Sequence, residues 1–180
     1  MIRGFGNGST RPARGPKEGL GARAGQALVE AVLVVPLLLL VLLGLIESGN
    51  SLSTKHQMAV LSREGANIAA RGTDLSETLN VVMTGGDGIQ LTDQGGAVVS
   101  RIIVLHGKPV VDAQVAYPGF GDRSRLGLPD SVAVALLGIN PVEGQTFHAV
   151  EVFFEYEPMT PLGGFLPAGW TDGIYERAIF

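Results

Sequence analysis

Apolar and polar positions divide this chain into stretches of different period. From Ala27 to Ile46 twenty residues stay apolar except for Glu30. A helix of that length rises about 30 Å, the thickness of a bilayer's hydrocarbon core. Farther on, Leu52, Lys55, Ala59, Ser62, Ala66 and Ala69 recur at steps of three and four, a stripe of mostly small side chains on one helix face. The two stretches predict one helix from near Gln26 to about Arg71, with Gly72 as its C-cap. Gly49 and Asn50 mark the place where it would divide in two. Pro36 removes one backbone hydrogen bond and predicts a kink or a loosened turn, which a spanning helix tolerates.

Residues 73–84 read as a short helix capped by Thr73 or Asp74. Loops at 85–88 and 94–96 flank a short stretch at 89–91. Val98–Leu105 is a β-branched strand, Gly107, Lys108 and Pro109 a turn, and Val110–Tyr117 a second strand of the same hairpin. In that second strand Val111, Ala113, Val115 and Tyr117 share one face. Residues 118–129 form a loop carrying Arg123 and Arg125. Residues 131–137 suit a helix or a strand equally. His148–Glu157 alternates most cleanly, with Val150, Val152, Phe154 and Tyr156 opposite Ala149, Glu151, Phe153, Glu155 and Glu157. Residues 159–173 are a Pro/Gly-rich loop in which Trp170 is expected to plug the core, a binding anchor being the alternative, and Tyr175–Phe180 is a terminal strand. The sum is α+β: one long N-terminal helix packed on a small antiparallel sheet.

Charge adds a direction. Residues 1–25 hold Arg3, Arg11, Arg14, Lys17 and Arg23 against Glu18, a net +4; the remaining eight basic and sixteen acidic residues leave 26–180 at −8. Basic residues beside a spanning helix stay cytoplasmic, so the N-terminus is expected inside and the bulk of the chain outside. A basic tail also suits a nucleic-acid arm, but a spanning helix follows it directly, so no nucleic acid is expected. There is no cysteine, which excludes disulfides and thiolate chemistry. A secretory signal peptide has an apolar core of about 7–15 residues and a small-x-small cleavage site. The sixteen apolar residues from Ala31 to Ile46, followed by Glu47, Ser48 and Gly49, fit that poorly.

The order of basic leader, Gly25, Gln26, Ala27, Leu28, Val29, Glu30 and apolar helix resembles the class III signal of the type IV pilin superfamily. Within it, this start and the Pro-interrupted Leu/Val run resemble the TadE-like minor pilins and pseudopilins of tight-adherence (Tad) pili. The run Ser62 to Arg71 is similar to the Ala/Arg/Gly-rich helix end of that family. The resemblance implies a pilin-like fold and cleavage between Gly25 and Gln26 by a prepilin peptidase. It also implies pairing of Glu30 with the new amine at Gln26 of a neighbouring subunit. On this reading 1–25 is a removed leader, 26–47 a membrane and assembly helix, 48–72 its continuation, and 73–180 an outer domain. The protein would sit in the bacterial inner membrane by one pass, its C-terminal domain periplasmic or extracellular, with pilin subunits and the pilus assembly machinery as partners. A membrane-anchored periplasmic binding or structural protein and a type II secretion pseudopilin are the alternatives.

Glu30 carries the physical part of that expectation. A carboxylate at full membrane depth costs about 2.5–3.5 kcal/mol, less near the interface. A mere anchor has no use for one, so a later partner is expected; snorkelling to the interface is the plainer account.

The remaining chemistry is sparse. His56, His106 and His148 lie far apart, and no metal site, cofactor or active site is expected. The segment from Asp87 to Asp93 lacks the spacing and final glutamate of an EF-hand, so turn formation is the reading there and calcium the alternative. A nucleotide loop at Gly4–Gly8 is dismissed because no strand precedes it and no helix follows. Arg123 and Arg125 are expected in solvent, or docked on an acidic surface such as that of Glu151, Glu155 and Glu157.

Overall fold

The computed structural model describes residues 19–133, 136, 142–161 and 173–180, with side chains from residue 25 onward. The leader up to residue 18, with its glycine-rich stretch, and the proposed plug Trp170 lie outside the described residues. Residues 1–42 and 43–180 form two compact units.

Helix α1 runs Gly19–Ala70. It begins seven residues earlier than the expected start at Gln26, because Leu20, Ala22, Arg23 and Ala24 are good helix formers that the apolar period does not reveal. It passes Pro36 and the Gly49-Asn50 pair without dividing. Past Ala70 the chain leaves the helix through Gly72, whose φ is 95° and whose N–H bonds Ala69 O at 3.0 Å.

The buried face of α1 holds Glu47, Met58, Ser62, Gly65, Ala66 and Ala69. Half-buried Ser51 and Thr54 fill the gap between Glu47 and Met58. The lower half of the expected stripe is thus corrected: Leu52 and Lys55 are exposed, and the face is turned by about one residue there. Met58, Ala66 and Ala69 bring apolar surface to the core, while Glu47, Ser62 and Gly65 do not. Small residues let the sheet approach, and the Glu47 side chain is drawn inward by donors described below.

Helix α2, Leu75–Gly85, is capped by Asp74, whose carboxylate accepts the Ser76 N–H at 2.8 Å. Its buried residues Leu75, Thr78, Leu79, Val82 and Met83 follow helical spacing. A 3₁₀ turn, Asp87–Ile89, and the short α3, Leu91–Gln94, come next.

Strands β1 (Gly95–Leu105), β2 (Lys108–Ala116), β3 (Thr146–Phe154) and β4 (Ile174–Ile179) form one antiparallel sheet in the order β2-β1-β3-β4. Four details depart from expectation. Gly95 and Gly96 open β1 instead of forming a loop. A side chain on Gly96 would run into the Phe120 ring, and one on Gly95 into the Phe153 carbonyl. The hairpin turn is His106-Gly107, with φ of 53° and 70°, and it leaves Lys108 and Pro109 in the edge strand β2.

The third departure is a bulge. Arg101 pairs with Ala113 and Ile102 with Val111, so Asp112 is the extra residue of β2. Val111 therefore faces the opposite side from Ala113 and Val115 and does not share their face as alternation alone implies. Finally, β3 stops at Phe154 and does not reach Glu157, because its partner β1 gives way to α3 at Gln94.

One face of the sheet packs under α1 and α2 through Met58, Ala66, Leu79, Val82, Val99, Val150, Val152, Phe154 and Tyr156. The other face is covered by the segment after β2, where Leu126, Ala133 and Leu136 cluster with Ile102, Val111 and Ala149. Val132 bridges Val110 on the β2 edge; residues 134, 135 and 137 of the ambiguous stretch lie outside the described residues.

Candidate functional site

Gly25, Gln26 and Glu30 all lie on α1 and are exposed. The Gly25–Gln26 bond falls inside the helix, six residues past Gly19. Among the described residues nothing stands within 4 Å of the place a side chain on Gly25 would take. Gln26 and Glu30 are one helical turn apart on the same face. Every residue from 25 to 42 is exposed, and the exposed large apolar side chains between Leu28 and Ile46 range from 43% to 71%. The helix is long and apolar enough to cross a membrane.

The apolar run ends at a built junction. Glu47 is only 1% exposed. One carboxylate oxygen accepts the Tyr156 hydroxyl at 2.6 Å and the Met159 N–H at 3.2 Å; the other accepts the Thr160 N–H at 2.9 Å. Burial first, then this carboxylate, push the Tyr156 hydroxyl up to about 12, so it stays a donor at physiological pH. Farther up, Gly65 lets α1 close on α2 and β3: a side chain there would overlap Val82 and come within 3.3 Å of Val150. Lys55 and Glu176 add an exposed ion pair at 3.7 Å between α1 and β4. Glu47 was not among the site residues expected from sequence. The available signal was its place, an acid directly after the last apolar residue and eleven positions before Met58 on the same helix face.

The far face of the sheet holds a second buried carboxylate. Glu151 on β3 is fully buried and accepts the Ser124 hydroxyl at 2.5 Å, the Arg125 N–H at 2.8 Å and the Tyr175 hydroxyl at 2.6 Å. Burial, followed by the bond to Glu151, raises the Tyr175 hydroxyl well above its ordinary value. Arg123 pairs with Glu155 at 2.8 Å and lies 4.7 Å over the Phe120 ring; Arg125 lies 4.2 Å over the Tyr175 ring. The arginine loop thus docks on the acidic strand of its own chain, at Glu151 and Glu155. Gln114 holds the same loop by donating to Ser100 Oγ at 3.0 Å and to the Gly127 carbonyl at 3.1 Å.

The histidines stay apart: His56 on α1, His106 in the hairpin turn, His148 on β3. Burial and then Arg101 hold His148 below its ordinary value, so it is neutral near pH 7. Asp87 and Asp93 are exposed, in the 3₁₀ turn and α3. Among the described residues no three His, Asp or Glu side chains gather around one point.

Fold and site together define an α+β protein with one long helix, apolar and exposed in its first half and packed on a four-stranded sheet in its second. Residues 25–67 match the family model of TadE-like proteins. The match opens on Gly25 and closes two residues past Gly65, so it takes in the apolar run, Glu47 and most of the buried stripe, and leaves the sheet outside. No curated protein and no solved structure matches the chain.

Proposed function

We propose that this chain is a minor pilin or pseudopilin of a Tad-type pilus, made as a precursor that a prepilin peptidase cuts between Gly25 and Gln26. The observation that carries the reading is the match to TadE-like proteins from residue 25, the residue after which cleavage is expected. The exposed apolar surface of residues 28–46 supports it, since such a surface requires lipid or other helices around it. The chemistry belongs to the peptidase; this chain supplies the bond and the charges.

Cleavage turns the amide of Gln26 into an amine one helical turn from Glu30. In an apolar bundle a lone charge is costly, so amine and carboxylate seek each other across neighbouring subunits and set their register. The helix spans the inner membrane with the basic leader in the cytoplasm, and residues 47–180 lie outside.

Intact mass and N-terminal sequencing of the membrane form, with and without the peptidase, test this. The expected mature chain begins at Gln26. A full-length chain in both strains overturns the pilin reading and leaves a plain single-pass anchor. An active periplasmic reporter fused after Phe180 is the expected sign of the orientation, and an inactive one contradicts it.

A further inference from the structure

We propose that the turn 158–160 is a lipid-facing foot, with Met159 seated at the boundary between headgroups and acyl chains beside the end of the helix. The proposal rests on the reading that the apolar half of α1 spans a membrane, and its occupant is the bilayer into which that same helix runs.

Three observations carry it. The first is position. Glu47 is the residue directly after the apolar run, and its carboxylate holds the backbone N–H groups of Met159 and Thr160 at 3.2 and 2.9 Å. Met159 is therefore tied within about one helical turn of the run's last residue, Ile46.

The second is surface chemistry. Met159 is 78% exposed, and its sulfur accepts the Asn50 side-chain amide at 3.3 Å, which keeps it beside the helix. On another side of the same helix, Leu45 and Leu52 are 66% and 69% exposed. A flexible apolar thioether left exposed at this level is poorly suited to water and well suited to the acyl boundary.

The third is charge. From Ser48 to Thr54 no residue is charged, and Lys55 is the first that is. That is roughly 10 Å of helix, more than the roughly 5–7 Å depth of one headgroup layer. The exposed Glu157, two residues before Met159, limits the foot to headgroup depth, whereas Glu47, the one charge of α1 at the boundary, is buried and hydrogen-bonded inside the protein. Glu47 needs no water, so lipid can close around the junction.

The chain has no cysteine, so single-cysteine labelling is clean. The full chain is reconstituted in phosphatidylcholine/phosphatidylglycerol vesicles with a polarity-sensitive fluorophore at Met159→Cys, Leu40→Cys or Lys108→Cys. Spin-labelled lipids then report depth. The Leu40 label is expected to be quenched from deep in the acyl chains. The Met159 label is expected to be quenched by headgroup and shallow labels, with emission blue-shifted from that of the Lys108 label, which stays in water. Pro158→Cys, in the same turn, carries the same expectation as Met159→Cys and replaces it if that variant is unstable.

A Met159 label as wet as the Lys108 label, with Leu40 quenched at depth, overturns the foot and leaves the span intact. A Met159 label shielded from water but untouched by any lipid label assigns the surface to a protein neighbour and also overturns it. Absence of deep quenching at Leu40 overturns the span itself, and the foot with it.

Discussion

The Tyr156 hydroxyl donates to the Glu47 carboxylate at 2.6 Å across 109 positions of sequence, and by that bond the segment after β3 is fastened to the point where α1 stops being apolar. A hydrogen bond to a charged acceptor contributes about 1.5–3 kcal/mol, and a buried donor left without its partner costs about 1–3 kcal/mol. Tyr156→Phe is expected to lower stability by about 1.5–3 kcal/mol. Glu47→Ala strands the Tyr156, Met159 and Thr160 donors together and is expected to cost more. Denaturant unfolding of the full chain in detergent micelles, followed by near-UV circular dichroism, measures both; equal stability of Glu47→Ala and the parent contradicts the role given to this carboxylate.

Gly65 and Gly49 sit on the same helix and predict opposite outcomes. A methyl group at Gly65 overlaps Val82 and crowds Val150, so Gly65→Ala is expected to cost about 1–3 kcal/mol by overpacking. At Gly49 nothing lies within 4 Å, so Gly49→Ala is expected to stabilise by about 0.5–1 kcal/mol through helix propensity alone. The same unfolding assay reads both signs, and a stabilising Gly65→Ala shows that α1 does not approach α2 and β3 this closely.

The hairpin turn offers a pH signature. Glu143 accepts the N–H groups of His106 and Gly107, each at 2.9 Å. The bonds from Gly107 and then His106 hold its carboxyl below the ordinary 4.5. A carboxyl lowered in the folded state stabilises the fold above the unfolded value, and that contribution is lost as pH falls through the folded value. The His106 and Gly107 amide resonances are therefore expected to titrate with a midpoint below 4.5, and to lose that titration in Glu143→Gln. A midpoint at or above 4.5 means the clamp is not formed in solution.

For Glu30 two effects carry opposite signs. Its removal lowers the insertion cost by up to about 2.5–3.5 kcal/mol, so membrane residence should improve. The same change leaves a neighbour's Gln26 amine without a counter-charge, so assembly should suffer. Glu30→Ala and Glu30→Gln are expected to insert, be cut after Gly25 and accumulate in the membrane without forming filaments; Glu30→Asp, one methylene shorter, is expected to be intermediate. Pilus recovery by shearing, set beside the membrane-retained fraction, decides; normal piliation in the Ala and Gln variants removes Glu30 from assembly.

Elements with strong periodicity were legible before any coordinates. The apolar run to Ile46, the helix after Asp74, the pairing of the two hairpin strands and the inward face Val150, Val152, Phe154 and Tyr156 each obey a local rule, and each is found in the fold. The positions that departed did so because a distant partner decided them. Leu52 looked like part of a helical stripe, but the half-buried positions at that level are Ser51 and Thr54. Glu157 continued an alternation, but β3 had lost its ladder partner. Val111 kept a period of two that the bulge at Asp112 resets.

By itself, then, the sequence determined the apolar helix, the acid within it, the main strand segments, and the α+β class, because each depends on residues a few positions apart. Only the tertiary structure decided the strand order, the face of α1 that is buried, and the docking of the Arg123–Arg125 loop over Glu151 and Glu155. It alone also revealed that Glu47 serves Tyr156, Met159 and Thr160. A carboxylate's spacing along a chain says nothing of the donors that will surround it; those come from the segment after β3, more than a hundred residues away, and they meet only once the sheet has closed against the helix.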